Sequence, residues 1–177
     1  MQNRRFFKNE YAILIAYYKL RNYPSAKRLA RIAGISRSTL YRHHKRVQFI
    51  PIDYEAFLLQ SYISSIKKLI HKNANLKTII LRTLVFIVSN RELFRILFKD
   101  NRKEIVKRMF EYLKPRILEE WHLSGDIDKI YSVYKNGVLG IIEIWYKQKF
   151  TSNHIESTLN DILYLTRVSR HNLLPLQ

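Results

Sequence analysis

Apolar residues recur at three- and four-residue intervals almost from end to end of this chain. No stretch alternates apolar and polar residues with the period of two that a half-buried strand requires. Leu59, Tyr62, Ile63, Ile66, Leu69 and Ile70 fall on one helical stripe, and Ile105, Met109, Phe110, Leu113 and Ile117 on a second. Tyr131, Tyr134, Val138, Ile141, Ile142 and Trp145 make a third, and Ile155, Leu159, Ile162 and Leu163 a fourth. Between the first two, TIILRTLVFIV is apolar almost all round, the pattern of a helix buried inside a bundle. Glycine occurs only at positions 34, 125, 137 and 140, too sparse to turn a series of hairpins. An all-α fold is the expectation.

Punctuation divides this pattern. Pro51 follows a basic stretch and begins a new segment, and Ser124, Gly125 and Asp126 interrupt the periodicity before the third stripe. Thr151, Ser152 or Asn153 is expected to cap the last helix. The sequence has neither internal repeats nor a low-complexity linker, so any two units should pack together. Residues 1–50 are expected to form a three-helix head, packed on a helical bundle made by residues 51–177.

Charge distinguishes the two parts. The chain holds 32 Lys and Arg against 14 Asp and Glu, a net charge of +18. Residues 1–50 contribute 12 basic residues and a single acid, Glu10, for +11, which leaves +7 for the rest. A surface so one-sided implies a polyanionic partner for the head. There are no cysteines, so disulfides, thiolate metal sites and cysteine nucleophiles are excluded. The longest apolar run, LVFIV at 84–88, is far short of the roughly 20 residues that span a bilayer. The N-terminal stretch lacks the cleavage site of a signal peptide, and a cytoplasmic protein without membrane association is expected.

Within the head, SAKRLARIAGISRSTLYRHHKRV (residues 25–47) sets two short helical segments around Gly34. Ser25 and Ser36 each stand where a hydroxyl can cap the helix that follows. Gly34 stands where a positive φ lets the chain turn sharply between them. Ala26, Leu29, Ala30 and Ala33 form a small inward face on the first helix; Ile35, Leu40 and His44 face inward from the joint and the second. Arg37, Ser38, Tyr41, Arg42 and Lys45 are left facing out. This is the pattern of a helix-turn-helix, whose second helix enters the major groove of DNA. His43 and His44 are adjacent and point about 100° apart on a helix, so a shared metal is not expected. One should face DNA and the other the core.

The segment IAGISRSTLYRHHK closely resembles the recognition segment of the TetR/AcrR family of transcriptional regulators. The resemblance is dense over residues 25–47 and weak elsewhere. It implies phosphate contacts from Ser25, Thr39 and Tyr41, and positions near base edges or backbone for Arg37, Ser38, Arg42 and His43; Lys27, Ser36 and Lys45 complete the expected DNA-binding set. Two residues depart from the family pattern: His44 stands where phenylalanine is usual, and Val47 where a phosphate-touching lysine is usual. LRNYPS also makes a short loop before the motif.

A single recognition helix reads only a few base pairs, so a homodimer on a palindromic operator is expected. YKNGVLGIIEIWYKQK looks like the penultimate helix of TetR-like proteins, which builds a four-helix interface with its twin. Gly137, Gly140, Ile141, Ile144 and Trp145, with Ile155, Leu159 and Ile162 of the last helix, are the expected interface residues. The resemblance also implies a small-molecule effector, and Phe86, Phe110, Tyr112, Trp121, His122, Tyr131 and Tyr134 are the expected pocket lining. Basic residues such as Lys103 and Lys107 leave an anionic ligand open. No cofactor or metal is implied, and no catalytic motif occurs: Glu119 and Glu120 adjoin but face apart on a helix. The expectation is a non-enzymatic, sequence-specific DNA-binding transcriptional regulator, a repressor released by an effector. The alternative is a helix-turn-helix subunit of a recombination or plasmid-maintenance complex that binds a protein partner.

Overall fold

A computed structural model describes the backbone of residues 2–20, 24–99, 103–121 and 127–171. The described residues contain no strand and are organised as nine α-helices. They divide into two compact units, residues 1–58 and 59–177. The division falls within the fourth helix, after Leu58, whereas the sequence had suggested residue 50, where that helix begins.

The first unit is built from α1 (Gln2–Leu20), α2 (Ala26–Ala33), α3 (Arg37–His43) and the start of α4 (Ile50–His71), with a 3₁₀ turn at Val47–Phe49. Helix α2 packs on α1 and α3 packs on α2. The helices start where the hydroxyls predicted: Ser25 Oγ accepts from Arg28 N at 3.4 Å, and Ser36 Oγ accepts from Thr39 N at 3.0 Å. Gly34 adopts φ 68°, ψ 32°, and its N–H returns to the carbonyl of Arg31 to close α2. Ile13, Leu14 and Ala16 of α1 meet Leu29, Ala30 and Leu40 in a core that also holds His44 and Ile50.

The second unit contains the rest of α4, α5 (Leu76–Ser89), α6 (Arg91–Lys99), α7 (Glu104–Trp121), α8 (Ile127–Lys147) and α9 (Ile155–His171). Helix α5 lies against α6, α7 and α9; α8 lies against α6, α7 and α9. The stripes read from the sequence supply the core: Tyr62 and Ile66 from α4, Met109, Leu113 and Ile117 from α7, Val138 and Ile142 from α8, Leu159 and Ile162 from α9. Helix α5 is less uniformly buried than its composition suggested, because Lys77, Thr78, Leu81 and Arg82 share an outward face. Helix α6, for which no stripe was drawn, buries Leu93, Phe94, Leu97 and Phe98.

The link into α9 differs from expectation. A 3₁₀ turn at Ser152–His154 precedes α9, and no hydroxyl of Thr151 caps a backbone N–H; instead Thr151 Oγ1 pairs with His154 Nδ1 at 2.6 Å. Just before it, Lys149 and Phe150 both adopt positive φ, 62° and 52°. The turn they make drives the Phe150 ring into full burial, edge-on to Phe94, Phe98 and Trp145. The interruption expected at residues 124–126 lies outside the described residues.

Candidate nucleic-acid interface

Helices α2 and α3 set the outward face of the first unit. The small residues at Ala26, Ala30 and Ala33 let α3 approach α2 closely, and the buried Leu40 pins α3 from below. Arg37, Ser38, Tyr41 and Arg42 are thereby exposed on α3, with Ser36 and Lys45 exposed at its two ends. Tyr41 is 47% exposed, an unusual position for a ring in a small unit with a formed core. At the start of α3, Ser36 Oγ lies 2.8 Å from Ser38 Oγ and 2.9 Å from Thr39 Oγ1, so three hydroxyls are gathered in one turn.

A surface cleft of about 410 Å³ separates the beginnings of the two helices. Ser25 and Lys27, read from the sequence, line it together with Arg37. So do Arg28 and Arg31, which the sequence reading left out. Their signal was present in the wheel of α2: once Leu29 and Ala30 face the core, positions 27, 28 and 31 share the opposite face. Lys27, Arg28, Arg31, Arg37, Arg42 and Lys45 are all exposed, and among the described residues none is held in an ion pair. No acid occurs on α2 or α3 to oppose them. Six unneutralised cations on adjoining helices make a strong, directional positive field.

His43 is the exception. The structure turns its ring inward, with the side chain only 5% exposed, and its Nδ1 is bonded to Glu10 Oε1. His44 Nε2 donates to the other oxygen, Oε2, at 2.9 Å. The assignment of His43 to the DNA-facing set is therefore corrected: a buried carboxylate from α1 claims both imidazoles. Burial pushes the Glu10 carboxyl up, but the hydrogen bonds from His44 and His43 and their charge outweigh it and hold the group below the ordinary value of 4.5. The polar residue at 44, where the family pattern has phenylalanine, is buried with a partner of its own.

In the second unit the aromatic residues proposed as a pocket mostly pack on one another. Tyr62 meets Phe86 at 5.5 Å and Tyr112 at 6.4 Å between ring centroids, and Trp121 meets Tyr134 at 5.1 Å and Tyr131 at 6.4 Å. Tyr131 donates its hydroxyl to the carbonyl of Phe110. Burial raises the Tyr134 phenol to about 12, a bond with Thr166 moderating the rise. His122 lies outside the described residues. Lys103 and Lys107 are paired with Glu143 and Glu104 rather than presented to a ligand.

The face expected to meet a second copy is partly redrawn. Trp145, Leu159 and Ile162 are buried within the unit, and Trp145 donates to the carbonyl of Thr151 at 3.1 Å, so they are not available to a partner. Ile141 and Ile155 are half-buried. Gly137 is needed inside the unit, since a Cβ there would come within 2.8 Å of Leu165 Cδ2 on α9. Gly140 looks onto open space, and Ile144 is 59% exposed. Val133 lies on the same face of α8 at the i−7 and i−11 positions to these two, and Tyr164 projects from α9; they are 68% and 69% exposed. The sequence reading missed Val133 and Tyr164, each of which also fits a core pattern.

Among the described residues no helix is long and apolar enough to cross a membrane. No curated protein and no solved structure matches the chain. The TetR family model for the transcriptional regulator C-terminal region matches residues 74–162, half of the chain and a span that begins before α5 and ends within α9. That match does not touch residues 25–47, where the sequence independently resembles the recognition segment of the same proteins. From both ends, the chain belongs to the TetR family of transcriptional regulators.

Proposed function

We propose that this regulator binds a specific DNA operator as a homodimer and represses transcription by occupying it, until a small-molecule effector releases it. The observation that carries the reading is the capped α2–α3 pair whose outward face bears six cations and no acid. Residues 1–50 supply the reading head and residues 51–177 the dimerisation and effector-binding part.

In this reading α3 enters the major groove. Arg42 and Arg37 reach base edges, where arginine can pair bidentately with guanine, and Ser38 approaches a base or the backbone. Ser25, Ser36, Thr39, Tyr41, Lys27 and Lys45 position the duplex through its phosphates, joined by Arg28 and Arg31 from the cleft. Two copies pair through the exposed Val133, Gly140, Ile144 and Tyr164 of α8 and α9. That apolar face is the one a second α8–α9 pair would cover.

Selection of bound sequences from a random duplex pool tests the reading, at near-physiological salt so that nonspecific attraction is damped. The expected outcome is a palindrome with half-sites about one helical turn apart. Recovery of no motif, with binding that disappears as salt rises, overturns it.

A further inference from the structure

We propose that the outward faces of α4, α5 and α6 form a second surface for duplex DNA, one that grips the phosphate backbone without reading sequence. It lies apart from α2 and α3, goes beyond the operator reading and stands without it.

The charge of the second unit is not spread evenly over it. Residues 59–99 hold eight Lys and Arg against one acid, Glu92, for +7, whereas residues 100–177 hold twelve against ten, for +2. Lys67 and Lys68 stand near the end of α4, with Lys72 just after it, and Lys77 and Arg82 stand on α5. Arg91, Arg95 and Lys99 follow on α6. All eight are exposed, and among the described residues none is held in an ion pair. Five cations around α7 and α8 behave otherwise. Lys103 meets Glu143 and Arg116 meets Glu119, each at 2.7 Å, and Lys107, Lys114 and Lys135 are each held by a carboxylate as well.

The three helices are consecutive and packed within one unit. The hydroxyls of Tyr62 on α4 and Thr83 on α5 lie 3.0 Å apart across a short turn, in which Ala74 N returns to the Leu69 carbonyl, and α6 lies against α5. Spacing along the helices is the second observation. Lys72 N bonds to the carbonyl of Lys68, which places the two one turn apart, and Arg91, Arg95 and Lys99 follow one another at four-residue steps. Like charges at that spacing repel and destabilise a helix. A surface that served solubility alone would alternate its signs, as Glu104 with Lys107 and Arg116 with Glu119 do on α7. The rows on α4 and α6 therefore carry a repulsion in the free protein that a polyanion relieves on binding. Composition selects the polyanion. Among the described residues Leu81, 38% exposed, is the only large apolar side chain exposed on these helices. A helix that lies on a membrane needs an apolar face to bury, and the centre of a protein–protein interface is apolar, rich in aromatics and poor in Lys. Five of the eight cations here are Lys. A polar, strongly cationic face without an apolar centre is the kind that meets DNA, whose phosphates present dense and regular charge.

The test is the salt dependence of binding of the full chain to a random-sequence duplex, followed by fluorescence anisotropy. One variant combines Lys68→Gln, Lys72→Gln, Arg91→Gln and Arg95→Gln. A control removes the same charge elsewhere in the unit through Arg108→Gln, Lys147→Gln, Lys149→Gln and Arg167→Gln, all at exposed positions. The first variant is expected to make the slope of log K against log salt shallower by about 0.9 for each cation that meets a phosphate, up to about 3.6 for the four. The control keeps the parent slope. In thermal unfolding without DNA the first variant melts no lower than the parent, because it removes like-charge pairs; a lower midpoint contradicts the argument from repulsion. The proposal is overturned if the first variant keeps the parent slope, or if the control lowers it equally, since net charge alone then accounts for the attraction. It is also overturned if the four residues govern capture by phosphatidylserine vesicles or by polyglutamate while the duplex slope stays unchanged, which assigns the face to a lipid surface or an acidic protein. The duplex carries no operator, so failure here leaves the operator reading standing, and a failed operator selection leaves this slope measurable.

Discussion

Glu10 is the one acid among the first 50 residues, and both of its oxygens are taken by histidines at the end of α3. It ties the end of α3 to α1. Because its folded pKa lies below the ordinary 4.5, the stability it contributes is present above that value and lost as pH falls through the folded pKa. Glu10→Gln is expected to destabilise the first unit by roughly 3–5 kcal/mol at neutral pH, the usual cost of breaking one side of a buried pair. It should also flatten the acid limb of the stability profile. Amide exchange in α2 and α3 measures both, and unchanged protection in the variant would show the contact to be dispensable. Arg42 and Thr39 separate the two kinds of DNA contact that the proposed function assigns to them. Arg42→Ala is expected to weaken specific binding by about 1–3 kcal/mol and relax preference at one position, while Thr39→Ala weakens binding to all duplexes alike. Titration of operator and scrambled duplex distinguishes these, and equal losses in both for Arg42→Ala would remove it from the base-reading set.

At the scale of elements, the head was legible because each of its signals is local. Ser25, Gly34 and Ser36 act on backbone within three or four residues of themselves, so their spacing alone places α2 and α3. What escaped was whatever depends on a distant segment. The inward turn of His43 follows from Glu10, 33 residues away. Helix α6 has only 9 residues, too few turns for its buried Leu93, Phe94, Leu97 and Phe98 to stand out as a stripe. The positive φ at Lys149 and Phe150 had no glycine to announce it. There the ring of Phe150 is buried at the cost of two strained residues, each about 1–2 kcal/mol for a side chain in the left-handed region. Lys149 is exposed and anchors nothing among the described residues, so Lys149→Gly is expected to raise stability by up to about 1 kcal/mol. Gly34→Ala is the converse: its Cβ meets nothing within 4 Å, yet φ 68° makes it costly by about 1–2 kcal/mol. Thermal unfolding reads both signs, and a shift in the same direction for the two would contradict the backbone argument.

For the whole molecule, the proposed operator reading turns on how many heads engage DNA at once. In that reading one α3 of seven residues offers few base contacts, and the net charge of +18 supplies attraction without discrimination, so specificity would require a second copy. The sequence showed that α8 and α9 are apolar but not which side faces out, because a core stripe and an interface stripe carry the same residue types. The structure separates them: Val138, Ile142 and Trp145 are spent inside, whereas Val133, Gly140, Ile144 and Tyr164 remain on the surface. A charge placed among the second group should therefore act on association and not on folding. Ile144→Asp is expected to convert a dimer to a monomer in sedimentation while leaving thermal unfolding at low concentration within about 0.5 kcal/mol of the parent, as for surface positions generally. Operator affinity should fall with it, since each head would bind its half-site alone, yet binding to random duplex should change little. A variant that stays dimeric would place the interface elsewhere. One that turns monomeric and still reads a full palindrome would separate dimerisation from recognition altogether.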